Sequence, residues 1–148
     1  MQRYFMEKAF LLKVEESNNK QNDRILFDDN QISELKFQYP GIPEDYLDYL
    51  KEIGEGSFRE CQFSVRGWLA RIKSIFGDEY AISDKNLLFF GDNFSGDLAG
   101  FDIDNNWELI EFWHDCREIY YLKKTFHQYI REQMLMDDNG NDICELET

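Results

Sequence analysis

Apolar residues recur along this chain with a period that changes, and each change marks an element boundary. From Tyr4 to Val14 the spacing is helical: Phe5, Ala9 and Leu12 share one face with Met6 and Phe10 beside it, and the polar run Asn18 to Asn22 ends the pattern. Arg24 to Phe27 is too short to classify. Asp28-Asp29-Asn30 offers N-cap chemistry to a second short helix carrying Ile32, Leu35 and Phe37, and Pro40 stops it. Pro43 opens a third helix, with Glu44 and Asp45 where the helix dipole favours negative charge. Its buried stripe is Tyr46, Leu47, Leu50 and Ile53, and Gly54 and Gly56 end it.

A period of two then takes over. Arg59 to Trp68 reads as the first strand, with Cys61, Phe63 and Val65 on one side and Gln62, Ser64 and Arg66 on the other. Trp68 to Phe76 fits a short helix or an irregular crossing equally well. Leu87 to Phe90 is apolar on both faces, which predicts a central strand, and Gly91-Asp92-Asn93 supplies turn residues after it. Two further strands flank Asp104-Asn105-Asn106 and form the clearest hairpin in the chain. In it Ala99, Phe101 and Ile103 alternate with Leu98, Gly100 and Asp102, while Ile110 and Phe112 alternate with Leu109, Glu111 and Trp113. One face is core-like and the other mixes carboxylates with tryptophan. From Tyr120 to Met136, the positions of Tyr121, Leu122, Phe126, Tyr129, Ile130 and Leu135 predict a long terminal helix with Lys123, Lys124 and Arg131 outward. An acidic, frayed tail follows over 137–148.

Composition narrows the function. A chain of 148 residues with 43% hydrophobic and 16% aromatic residues is long and apolar enough for one folded domain without disulfides or metal. Cys61, Cys116 and Cys144 are odd in number and widely spaced, so reduced thiols are expected. Charged residues interrupt the first helix, which argues against a signal peptide, and no window approaches the roughly 20 apolar residues of a spanning helix. A cytoplasmic location is expected. Thirty acidic against sixteen basic side chains give a net charge of −14, which opposes direct binding to nucleic acid or an anionic membrane.

The charge is unevenly placed. Between Lys85 and Arg117 there is no lysine or arginine, yet the interval carries Asp92, Asp97, Asp102, Asp104, Glu108, Glu111 and Asp115. A sheet built from it exposes one sign of charge, which points to a cationic partner, or else to a face that is merely solvated. Catalytic groupings are weak by comparison. Asp102-x-Asp104 lacks a third ligand at recognisable spacing, and His114 and Asp115, as strand neighbours, are expected to point to opposite faces. Cys116 could act as a nucleophile only if the fold brought His127 to it. The loop Gly91 to Gly96 lacks the lysine and following helix of a phosphate cradle. No cofactor and no metal are expected, and an enzyme is the least favoured class.

Ile42 to Leu50 followed by Gly54-Glu55-Gly56, then Leu88-Phe89-Phe90-Gly91-Asp92 and Gly96-Asp97, then Phe101-Asp102 and Trp113-His114-Asp115, together resemble the SUKH superfamily. That group contains fungal cell-wall-synthesis regulators and many bacterial immunity proteins. The resemblance covers about 29–135, with 1–28 as an N-terminal helix and loop, while the segment 68–80 matches nothing in the family pattern. It implies a single α+β domain, with a mostly antiparallel sheet and helices packed on one side. The role it implies is non-catalytic: an immunity protein, monomer or homodimer, that neutralises a basic toxin domain, nucleases among them, or alternatively a regulatory scaffold. The expected partner surface is Asp92, Phe94, Asp97, Trp107, Glu108, Glu111 and Asp115. Trp107 is its most exposed aromatic, Trp113 is read as core, and Glu15 on the first helix lies remote from it.

Overall fold

Local side-chain chemistry sets where the helices begin. We describe a computed structural model of the chain, covering residues 3–16, 18–71, 86–93 and 95–143. Helix α1 spans Phe5–Val14, α2 Asp29–Gln38, α3 Glu44–Glu52 and α4 Phe126–Gln133. At α2 the Asp28 carboxylate accepts the Gln31 N–H at 2.8 Å while the Gln31 side chain accepts the Asp28 N–H at 2.9 Å. Pro43 precedes α3 as its N-cap. Thr125 and Gln128 form the same reciprocal cap at α4. The terminal helix is therefore shorter than the spacing over Tyr120 to Met136 predicts: Lys123 adopts a positive φ of 55° that breaks it, and the residues before it form a strand.

Seven strands, β1 Arg24–Ile25, β2 Glu55–Phe58, β3 Phe63–Ala70, β4 Leu87–Asn93, β5 Leu98–Asp102, β6 Glu108–Trp113 and β7 Glu118–Tyr121, make one antiparallel sheet whose spatial order is the chain order. The fold is α+β. The expected strand from Arg59 starts only at Phe63, because Arg59, Glu60 and Cys61 are all left-handed, with φ of 48°, 54° and 70°. Three such residues in a row cost backbone energy, and specific bonds hold them. Arg59 forks onto Asp142 at 3.0 and 2.8 Å, Glu15 accepts the Arg59 N–H at 2.7 Å, and Asn22 accepts the Glu60 N–H at 2.8 Å. Asp142 is thus buried and ordered rather than part of a frayed tail, and Glu15 is a buried partner of Arg24 rather than a free surface charge. Trp68 to Ala70 continue β3; the rest of the 68–80 segment from 72 on, together with Lys85, Phe94 and Cys144, lies outside the described residues.

The main core lies between the helices and one sheet face. Tyr46, Leu47 and Leu50 of α3 and Phe126 and Ile130 of α4 meet Phe63, Val65, Phe90, Ala99, Phe101 and Leu109. Phe90 sits at the centre, its ring within 5.0 to 5.7 Å of Phe126, Phe101 and Tyr46. The opposite sheet face is apolar as well: Leu87, Phe89, Leu98, Ile110 and Phe112 are buried there, with Ile119 and Tyr121 against them. The alternation within each strand of the β5–β6 hairpin is as expected, but Glu111 and Trp113 share the helix side with Ala99, Phe101 and Leu109, while Asp102 and Glu108 face away with Ile110 and Phe112.

Helix α1 is correct in extent but turned. It buries Glu7, Phe10 and Leu11, leaving Phe5 and Leu12 exposed. The buried Glu7 carboxylate has a reason to be there: its Oε2 lies 2.9 Å from His127 Nε2 and 3.6 Å from Arg131 Nη2, both on α4. Phe37 of α2 is likewise exposed, while Ile32 and Leu35 are buried as the spacing predicts.

Candidate acidic and aromatic surface

The fold divides the expected surface. Asp92 lies on the face away from the helices, opposite Ser64 and Leu98, and is ion-paired to Arg66 at 2.7 Å. Glu108 lies on that same face at the hairpin end, paired to Lys123 at 2.7 Å and accepting the Asn105 amide at 2.6 Å. Both carboxylates come from the cation-free interval, yet the tertiary fold brings each a cation from another strand or loop. Phe94 lies outside the described residues.

Trp107 is not the exposed aromatic that the sequence predicts. It packs against the core beside Phe101 and Tyr39, at ring separations of 5.7 and 6.2 Å. Its indole lies 3.0 Å from where a Cβ on Gly41 would stand, and Gly41 holds a φ of 90°, so glycine is required there on both counts. Trp113 exchanges roles with it and is 43% exposed.

The remaining acidic residues converge at the other end of β5, β6 and β7. Register pairs Ala99 with Glu111, Glu111 with Tyr120, and Trp113 with Glu118, so these side chains share the helix-side face. They extend it past α4. The Trp113 and Tyr120 rings are 4.5 Å apart and inclined at 45°. Glu111 accepts the Trp113 indole N–H at 3.2 Å and the Tyr129 hydroxyl of α4 at 2.7 Å. Glu118 accepts the Tyr120 hydroxyl at 2.8 Å, and the exposed Cys116 thiol lies 3.8 Å from the same hydroxyl. Bonding to Glu118 raises the Tyr120 pKa, and burial followed by the Glu111 charge raises that of Tyr129, so both phenols remain protonated donors.

Asp97 closes the rim. Its Oδ1 accepts the His114 backbone N–H at 3.2 Å and lies 2.9 Å from His114 Nδ1, while Asp115 Oδ1 is 2.9 Å from Nε2. His114 and Asp115 therefore meet, contrary to strand alternation, because they follow β6 in a turn. Cys116 and His127 are not brought together: Cys116 sits beside Tyr120, whereas His127 faces Glu7. Among the described residues no group of three or more His, Cys, Asp or Glu side chains is arranged to hold a metal ion.

Among the described residues, Asp97, Glu111, Asp115 and Glu118 make no ion pair with lysine or arginine. A groove of about 500 Å³ beside α4, lined by Lys123, Lys124, His127 and Arg131, is the opposite case. Its cations are already committed to Glu108, Glu132, Asp138 and Glu7. Sequence reading missed Glu118 and Tyr120 because they were assigned to the approach and start of a helix; the Thr125-x-x-Gln128 capping signature marks the true start. Among the described residues no helix is long and apolar enough to cross a membrane. Comparison of the chain with protein-family models, curated proteins and solved structures finds no match in any of the three.

Proposed function

We propose that the chain is a non-catalytic cytoplasmic binding protein that neutralises a basic protein partner, a toxin domain such as a nuclease, through the acidic and aromatic end of β5 to β7. The observation carrying this reading is the set of carboxylates, Asp97, Glu111, Asp115 and Glu118, that make no ion pair with lysine or arginine among the described residues and surround the exposed Trp113. A cationic substrate groove is the natural complement. Electrostatic attraction of that kind accelerates association by roughly tenfold to a thousandfold at low salt. The resemblance to immunity proteins in the sequence supports the same role, and the α+β architecture is compatible with it.

The test begins with the neighbouring genes: the reading requires one that encodes a basic toxin domain, which is then the partner used, and a locus without one counts against it. Co-expression is expected to protect cells, and stopped-flow association is expected to slow steeply as salt rises. Glu111→Lys combined with Glu118→Lys should abolish protection. Glu34→Lys on the exposed face of α2 should not, and it serves as the remote control in place of the buried Glu15. At the exposed Glu34 and Glu118 such changes alter stability by only about half a kilocalorie per mole, whereas Glu111→Lys also removes the acceptor of the buried Tyr129 hydroxyl, so thermal unfolding of the double variant is measured alongside. Loss of protection with the control as well, or salt-independent association, sinks the assigned surface.

A further inference from the structure

Two aromatic rings and two carboxylates are arranged reciprocally where the sheet passes beyond α4. The Trp113 N–H orients Glu111, and the Tyr120 O–H orients Glu118. Glu118 stands directly across the strand pair from Trp113, and Glu111 directly across from Tyr120. Glu111 is further fixed by Tyr129, a buried residue of α4, so its position is set by the core and not by the solvent-facing side chains alone. The outcome is an exposed indole with a carboxylate on either side.

Resting on the proposed binding role, we infer that this face is a clamp for an arginine side chain presented by the partner. A guanidinium is planar, so it can lie on the Trp113 ring while its edge donates to a flanking carboxylate. Lysine satisfies only part of this: its ammonium is attracted by ring and carboxylate but has no plane to stack and no fork to share between two oxygens. A neutral urea group of the same shape stacks without the charge. The surroundings favour the cation, since Asp97 and Asp115 add to the field of Glu111 and Glu118 in a chain of net charge −14. Fixing the carboxylates in advance also lowers the ordering cost of binding.

The experiment titrates the full chain at low salt with three short peptides that alternate glycine with arginine, lysine or citrulline. The readout is the Trp113 indole N–H resonance, assigned by loss of its peak in Trp113→Phe. The arginine peptide is expected to move that resonance and the Glu118 and Tyr120 amides, leaving the Trp107 indole in place. Lysine should bind about three- to fivefold more weakly, the size of an exposed cation–π contribution, and citrulline should not shift the peak. Trp113→Ala and the near-isosteric Glu118→Gln should each weaken the arginine peptide by a similar factor, with thermal unfolding showing that the variants remain folded. Equal response to arginine and lysine, shifts centred on the groove beside α4, or no shift, overturns the clamp. If Trp113→Ala keeps full protection and a full salt dependence against the toxin while Glu111→Lys with Glu118→Lys loses them, the clamp fails and the acidic surface stands. If the double charge reversal also changes nothing, the surface fails too.

Discussion

At the scale of single residues, the position of a carboxylate matters less than the donor that reaches it. Asp102, expected on the acidic face, is buried and accepts the Tyr121 hydroxyl at 2.5 Å. That bond, helped by burial, pushes the Tyr121 pKa up to about 12. The folded chain therefore keeps a proton that the unfolded chain loses from its ordinary value of 10.0 upward. The resulting stabilisation is whole below pH 10 and is lost as pH rises toward 12. Asp102→Asn is expected to bring the Tyr121 midpoint down toward 10, followed by ring-carbon NMR with Tyr121→Phe as the assignment. An unchanged midpoint would show that the bond does not set it. Trp107 and Trp113 make the corresponding lesson for apolar groups. Each stands next to a glutamate or within two residues of one in the sequence, and only the register of β6 and the approach of Gly41 decide which is packed and which is open.

At the scale of elements, helix starts announced by capping chemistry were legible, whereas spacing alone gave α1 its extent but not its buried face and began α4 too early. Asp28 and Pro43 mark α2 and α3 within a residue of their observed starts. The α4 boundary was equally written, in Thr125 and Gln128, but the apolar spacing of Tyr121 and Leu122 runs into that of Phe126 and imitates a longer helix. Thr125→Ala should cost about 1 kcal/mol by denaturant unfolding, since two backbone donors lose their partner arrangement. A loss near zero would mean that Asp45, whose carboxylate accepts the His127 N–H at 3.1 Å, holds the helix start unaided. The candidate surface was half legible: Asp97, Glu111 and Asp115 were foreseen, but Glu118 and Tyr120 become visible only when β7 is recognised as a strand. The left-handed run at Arg59 to Cys61 had no local signal, because neither glycine nor asparagine occupies it; its conformation is imposed by Asp142, Glu15 and Asn22 from distant parts of the chain.

At the scale of the molecule, two buried ion pairs bind its beginning and end. Glu7 of α1 meets His127 and Arg131 of α4, and Arg59 meets Asp142 near the end of the described chain. Removing one partner strands a buried charge, whereas removing both need not. His127→Leu removes the shorter contact to the buried Glu7 carboxylate while Arg131 stays at 3.6 Å, so it is expected to destabilise by about 1 to 3 kcal/mol, and Glu7→Leu added to it to cost less than the sum of the two single losses. Two additive losses in chemical denaturation would show that the pair is not coupled. The same arrangement imposes an order on synthesis. Because the sheet follows the chain, each strand leaving the ribosome finds its neighbour already made. Helix α1 carries a buried carboxylate whose half-buried partners lie 120 and more residues later. It has to wait, and the emergence of α4 is what allows it to dock.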